Sequence, residues 1–336
     1  MDIIWPLEIG LTQTLQSLGE WLLLPMRLFT FLGNEEFYML VMPALYWCVD
    51  ALLGLRIGLM LVASGTLNGV AKLLFKGPRP YWLDAQVTAH IAESSFGMPS
   101  GHAMNAASVW GLFSASMSKK GLRWLALVLI LVIGISRIFL GVHFTSDVVM
   151  GWLLGGLLLL VYLRVEKPLS AWLKTLSLGR LVFIVFLISV GIIALNALLL
   201  AASADWQIPQ EWLATAAITA PEGELDPLSL GGVITNAAVF FGLASGVAWI
   251  RSRGGFDAGG KGVLRLARFV LGLVGVLVLW AGLGKIFPHT ADLLGYTLRY
   301  VRYALTGAWI AAGAPLVFLR LGLAEKAKDT TKKAAK

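Results

Sequence analysis

The feature that most constrains this chain is a succession of long apolar stretches, each close to the roughly 20 residues a helix needs to cross a hydrocarbon core. Nine of them fall at 37–53, 56–75, 101–117, 124–142, 145–164, 181–203, 229–250, 266–286 and 297–319. Of the 336 residues, 58% are hydrophobic and only 14% charged, and the mean hydropathy is +0.79. A soluble domain of this length has too little interior to hide so much apolar surface. That excludes a soluble enzyme, a disordered chain and a nucleic-acid binder of ordinary composition. The expected fold is all-α, a polytopic membrane helical bundle. A tenth stretch, 19–32, is shorter and carries Pro25 and Arg27. Its length fits a re-entrant or interfacial segment better than a span.

The net charge of +8 has a simple explanation in topology. Lys119, Lys120 and Arg123 fill one short loop. Arg164, Lys167, Lys174 and Arg180 dominate a second, and Arg251, Arg253, Lys261, Arg265 and Arg268 a third. The tail after Leu319 is basic as well. The longest intervening loop, 204–228, carries Asp205, Glu211, Glu222, Glu224 and Asp226 with no Lys or Arg. Alternation of this kind is the positive-inside pattern. It puts the basic loops and the C-terminus in the cytoplasm and loops 76–100 and 142–146 on the outer face. No nucleic-acid partner is needed to account for the charge. The one cysteine, Cys48, excludes an internal disulfide framework and a cysteine-ligated cluster. The start, MDIIWPLEIG, lacks a basic n-region, which argues against a cleaved signal peptide.

Three polar clusters interrupt the apolar background, each at the outward end of an expected span. They are Lys72 to Pro80 (KLLFKGPRP), Pro99 to His102 (PSGH) and Ser136 to Asp147 (SRIFLGVHFTSD). The spans starting near Gly101 and ending near Gly141 form an antiparallel hairpin. Equal rise on the two arms returns Arg137 to the height of His102. Lys72 and Arg79 reach the same level from the preceding span. Three cations then converge, and the two arginines can each fork onto a phosphate. Ser100 and the Gly101 amide sit at a helix start, where free N–H groups favour an anion. His102 and His143 are suited to nucleophilic and acid–base work near neutrality. Asp147, four residues after His143, shares its helical face and can hold one ring nitrogen while the other faces phosphorus. The set describes phosphoryl transfer in which cations stabilise charge, one histidine attacks and the other protonates the leaving oxygen.

The pattern K-x6-R-P, P-S-G-H and S-R-x5-H-x3-D resembles the three-part signature of the type 2 phosphatidic acid phosphatases, relatives of bacterial acid phosphatases and vanadium haloperoxidases. The resemblance covers about residues 36–164. It implies His143 as the nucleophile that forms a phosphohistidine, Asp147 as its orienting partner and His102 as the general acid. It implies Lys72, Arg79, Ser100, Gly101 and Arg137 as the phosphate holders. It also implies a six-helix core, here followed by about four further transmembrane helices.

The expected organisation is therefore a phosphatase core over 1–166, a C-terminal transmembrane unit over 181–320 and a basic cytoplasmic tail over 321–336. The expected function is hydrolysis of a lipid phosphate or diphosphate: an isoprenyl diphosphate, phosphatidic acid, phosphatidylglycerophosphate or a sphingoid phosphate. The site would face outward from the cell membrane. No cofactor is expected and no metal, since no acidic cluster offers a magnesium site. The expected partners are the lipid phosphate and the bilayer. The rival readings are a lipid-linked phosphotransferase and a lipid transporter or flippase. Weaker signals are read blandly: Gly33–Glu36 as a solvated turn, His90 as a solvated loop residue, Trp82, Trp110 and Tyr300 as an aromatic belt, and Lys285, His289, Arg299 and Arg302 as interfacial anchors.

Overall fold

A computed structural model describes residues 4–223 and 225–327. Glu224 and the greater part of the basic tail, from Lys328 to Lys336, lie outside the described residues. Among the described residues the regular structure is entirely helical. The N-terminal elements are α1 (Trp5–Gln16), a 3-10 turn (Glu20–Leu22), α2 (Leu23–Phe31), α3 (Glu35–Cys48), α4 (Ala51–Phe75) and α5 (Pro80–Leu83). Next come α6 (Gly101–Asn105), a π turn (Ala106–Trp110), α7 (Gly111–Ser116), α8 (Lys120–Phe139) and α9 (Thr145–Leu173). They are followed by α10 (Leu178–Ala201), α11 (Gln210–Thr219), α12 (Gly231–Ser252) and α13 (Gly262–Leu277). A π turn (Val278–Gly282) joins α13 to α14 (Leu283–Ile286). α15 (Leu293–Ala308) continues through a π turn (Trp309–Gly313) into α16 (Ala314–Arg320).

Among the described residues, seven helical runs are long and apolar enough to cross a membrane. The sequence pattern predicts nine, and the two that differ have physical causes. The stretch 37–53 is helical only over the 14 residues of α3, because the chain turns at Val49 and Asp50. Asp50 there accepts from the Leu52 and Leu53 amides and starts α4. Fourteen residues rise about 21 Å, short of the core thickness. The stretch 101–117 is helical only over 101–116 and contains a π turn. The stretch 19–32 forms a 3-10 turn and the nine-residue α2, too short to span. α10 shows why the remaining runs need a bilayer. Phe183, Phe186, Leu187, Ile188, Val190, Leu195 and Leu198 all lie exposed on it, an apolar surface that water would not tolerate.

The chain divides into two compact units. The first contains Met1–Tyr38, Ala63–Glu166 and Ala194–Leu230. Its buried apolar cluster joins Leu73, Tyr81, Trp82, Phe96, Phe139, Leu140 and Val142 to Ala216 of α11. The acidic loop and α11 therefore belong with the motif-bearing helices. Trp82 is fully buried here and packs on Trp212, with ring centroids 5.9 Å apart, so it is not a belt residue.

The second unit contains Met39–Val62, Lys167–Ile193 and Gly231–Lys336. Gly242 and Gly307 let α12 and α15 approach closely: a Cβ on Gly307 would lie 2.9 Å from the Val239 carbonyl oxygen. The π turn at 309–313 leaves carbonyls outside the regular ladder. Trp47 Nε1 donates to Ile310 O and the Tyr46 hydroxyl to Ala311 O, both at 2.9 Å. Arg302 is buried against the Tyr303 ring rather than anchored at an interface.

Candidate active site

All the motif residues lie in the first unit, and local sequence explains how each is presented. Lys72 stands on the last turn of α4. Arg79 follows in the connection, at the cap of α5, whose first residue Pro80 needs no amide partner. Ser100 caps α6 in extended conformation, and its Oγ accepts from the Ala103 amide at 3.5 Å. Its own amide donates to Asp147 O at 2.9 Å, tying the second motif to the third. Gly151 and Gly155 give α9 a flat face for α6. A Cβ at Gly151 would come within 2.6 Å of Ser100 O, and one at Gly155 would collide with Met104 O. Gly97 is needed for the same reason, since its Cβ would strike Pro78 O and stand 3.0 Å from Asp147 Oδ2. At Gly101 a Cβ would press on Asn68 Oδ1 at 3.2 Å.

The cations are held by carbonyls and hydroxyls. Arg79, fully buried, donates from Nε to Ser95 O (2.7 Å), from Nη1 to Val142 O (2.8 Å) and from Nη2 to Phe96 O (3.1 Å). Lys72 Nζ donates to Ser95 Oγ at 2.7 Å. Arg137 donates from Nη1 to Thr30 Oγ1 at 2.7 Å and from Nη2 to the Glu93 carboxylate. The other Glu93 oxygen lies 3.9 Å from Arg79 Nη2. Burial by itself would raise the Glu93 carboxyl, but Arg137 and Arg79, with His102 and Lys72, outweigh it and hold it below the ordinary carboxylate range. One anion thus already sits where two guanidiniums meet.

His143 lies in the connection between α8 and α9. Its Nδ1 is 3.3 Å from Asp147 Oδ2, which also accepts from the Phe144 amide at 3.0 Å. Its Nε2 is 3.3 Å from Arg79 Nη1. A guanidinium can only donate, so Nε2 presents its lone pair and Nδ1 carries the proton given to Asp147. Burial, reinforced by the charges of Arg79, Arg137 and Lys72, pushes the His143 imidazole well below its ordinary value near 6.5. The ring is neutral at physiological pH, as an attacking nitrogen must be. His102 Nε2 is 2.6 Å from Asn34 Oδ1.

The structure thus brings Lys72, Arg79, Ser100, Gly101, His102, Arg137, His143 and Asp147 into one unit. Lys72, Arg79, Arg137, His143, Asp147 and Ser100 are linked directly or through Glu93 and Ser95, while His102 follows Gly101 on α6 and contacts Asn34. Several neighbours are additions to the sequence reading. Glu93 is a lone acid in a long loop, and its only signal is that three cations in a dry setting call for a counter-charge. Glu8 accepts from the Ser146 amide (2.7 Å) and hydroxyl (2.9 Å), beside Asp147. Asn34 contacts His102 and is half-buried, where the sequence suggests a solvated turn. His90 stacks on Phe139 at 5.7 Å instead of standing in solvent. The acidic loop packs here too: Thr219 donates to Tyr81 O (2.9 Å), the Asp226 amide to Ser94 O (3.1 Å), and Trp206 lies under Lys76 Nζ (5.5 Å). Among the described residues, no three His, Cys, Asp or Glu side chains are grouped as metal ligands. The geometry suits a tetrahedral anion gripped by cations, with one neutral imidazole lone pair beside it.

Comparison with known proteins agrees with this chemistry. Residues 53–170 match the family described as the PAP2 superfamily, and residues 234–326 match the PAP2 superfamily phosphatase transmembrane extension. Phosphatidylglycerophosphatase B of Bacillus subtilis (strain 168) is 42% identical over 112 residues, 30% of this chain and 53% of that protein. The glucose-6-phosphatase catalytic subunit 1 of Haplochromis nubilus is 28% identical, over 57% of this chain and 62% of its own length. Sphingosine-1-phosphate phosphatase 1 of Mus musculus is 28% identical, over 48% of this chain and 39% of its own. The chain thus spans between about two-fifths and three-fifths of the length of these relatives. It carries a PAP2 superfamily domain over residues 53–170, followed by the transmembrane extension of PAP2 superfamily phosphatases over 234–326.

Proposed function

We propose that this protein is an integral membrane phosphatase that hydrolyses a lipid phosphate or diphosphate through a phosphohistidine on His143, without a metal. The observation that carries this reading is the setting of His143: Nδ1 on Asp147, Nε2 on Arg79, beside a Glu93 carboxylate gripped by two arginines. A substrate phosphate replaces that carboxylate between Arg79, Arg137 and Lys72. Nε2 of His143 attacks phosphorus, the bond to the leaving oxygen breaks, and His102 delivers the proton that oxygen needs. The Ser100 and Gly101 region at the start of α6 adds amide dipoles toward the developing charge. Water then attacks phosphorus, His102 takes its proton, and the P–N bond breaks.

A lipid is preferred to a soluble ester because the site is built at the ends of helices whose other faces are apolar and exposed, as at Leu131 and Ile135 of α8 and Leu153 and Leu157 of α9. A tail can stay in hydrocarbon while its head enters. The names of the Bacillus and mouse relatives favour phosphatidylglycerophosphate or a sphingoid phosphate within that class. The alternation of basic and acidic loops favours a site on the extracytoplasmic face of the cell membrane and a cytoplasmic C-terminus. The test is phosphate release by purified protein in detergent, with and without EDTA. Its substrates are phosphatidylglycerophosphate, phosphatidic acid, sphingosine 1-phosphate, an isoprenyl diphosphate and glucose 6-phosphate. Release from at least one lipid, unaffected by EDTA, is expected. Release from glucose 6-phosphate alone, or loss on chelation restored by Mg²⁺, would contradict the proposal.

A further inference from the structure

We infer that Asn34 is a positioning residue for proton transfer: its side-chain oxygen holds Nε2 of His102, so that Nδ1 is the nitrogen that serves the leaving oxygen. The inference rests on the reading of His102 as general acid. Its own ground is geometric. Asn34 Oδ1 lies 2.6 Å from His102 Nε2, a close contact just under the usual N–H···O range. The turn that carries Asn34 is shaped for this approach. A Cβ at Gly33 would come to 3.3 Å from His102 Cδ2 and to 2.9 Å from Ile133 Cγ2, so a side chain there would have to displace Ile133 and would crowd the imidazole edge.

Chemistry identifies which end of the amide must face the ring. The acid form of His102 carries protons on both nitrogens, so the partner of Nε2 has to accept. An amide oxygen accepts, and an amide NH₂ does not. Nδ1–H then gives its proton to the leaving oxygen as the P–O bond breaks, and Nε2–H stays on Asn34. The ring is left neutral with its lone pair on Nδ1. In the second step the attacking water transfers one proton to that lone pair while its oxygen bonds phosphorus and the P–N bond breaks. Protons balance over the cycle, and His102 returns to its starting form.

The two histidines thus have unlike partners. His143 faces a carboxylate, which stabilises positive charge on a ring that becomes a phosphorylated cation. His102 faces a neutral amide, which orients the ring without holding the proton it must release. The charged groups around His102 are Arg137, Glu93, Lys72 and Arg79, from α8, the loop before α6, α4 and the connection after it. Glu35, next to Asn34, lies within the influence of Glu93 and Lys72. A carboxylate introduced at position 34 would touch the ring directly and so outweigh changes at these neighbours.

The experiment compares kcat/KM for Asn34→Ala, Asn34→Asp and His102→Ala on an alkyl lipid phosphate and on p-nitrophenyl phosphate, whose leaving group needs little protonation. All variants are checked for monodispersity in detergent. His102→Ala should lose much more on the lipid than on the aryl ester. Asn34→Ala should show the same selectivity, with about a 10- to 100-fold loss on the lipid, part of the usual general-acid contribution. Asn34→Asp should move the basic limb of the lipid profile up by about one pH unit, because a carboxylate favours the imidazolium. Equal losses on both esters in Asn34→Ala, or an unchanged selectivity and profile in both Asn34 variants, would overturn the inference. If His102→Ala itself lacks leaving-group dependence, the general-acid reading beneath it is what fails.

Discussion

Glu93 separates two contributions that the substrate must combine. Its carboxylate neutralises Arg137 and Arg79 in the resting site, so Glu93→Gln leaves buried cations short of a counter-charge. With the side chain 28% exposed, the cost should be about 1–3 kcal/mol, less than for a fully buried pair. Phosphate or vanadate should recover more thermal stability in Glu93→Gln than in the wild type, and equal ligand-induced shifts would refute this role. A second expectation concerns pH. His143 has a folded value well below its unfolded 6.5, so the folded state binds fewer protons there. Its contribution to stability is therefore present above about pH 6.5 and lost as pH falls below it. Loss of nucleophilicity follows the lower, folded value. The acid limb of kcat/KM assigned to His143 should lie well under pH 6.5, and a His143 imidazole NMR resonance, identified by its absence in His143→Gln, that titrates at or above pH 6.5 would contradict this. At this scale the sequence was most legible where residue type and spacing coincide, as in Arg79, Arg137, His143 and Asp147. Glu93, Asn34 and Glu8 were hidden because a lone polar residue in a loop or first helix has no period to betray its direction.

Among the elements, the pairing of α6 with α9 sets the distance between the two histidine-bearing motifs. Gly151 and Gly155, one turn apart, leave no room for side chains against Ser100 O and Met104 O. Gly155→Val should push α6 away, cost about 1–3 kcal/mol by overpacking and lower kcat about 100-fold, since a displacement near 1 Å can do that much. Gly156, with open space at its Cβ, is the control: Gly156→Ala should leave turnover and melting temperature unchanged. Equal effects at 155 and 156 would show that the α6–α9 approach does not set the site. Hydropathy located the long helices α4, α8, α9 and α10 because each is a continuous apolar run. It overextended α3, because apolar residues resume at Ala51 beyond the turn at Asp50, whereas 101–117 matches the α6–α7 segment to within one residue. Composition reports the surroundings of a segment better than its hydrogen bonding.

For the whole molecule, the three motifs do not mark the limits of the part that works. The acidic loop and α11 pack in the first unit through Ala216, Trp212 and Thr219, and Tyr46 and Trp47 are bonded to Ala311 and Ile310 in the second. A chain ending at Arg180 keeps every motif residue yet loses both sets of contacts. It should be unstable in detergent and inactive, and a monodisperse, fully active 1–180 fragment would show those contacts to be dispensable. The loop's place was not legible because its acidic composition reads equally well as a solvated connection. The proposal common to all three scales is that His143 takes the phosphoryl group, and it is open to direct capture. The protein, mixed with a lipid carrying labelled phosphate and quenched in base within one turnover, should hold a label that survives alkali, is lost in acid and maps to His143. A wild-type protein that turns over without such a label, or a His143→Ala protein that retains it, would contradict the account.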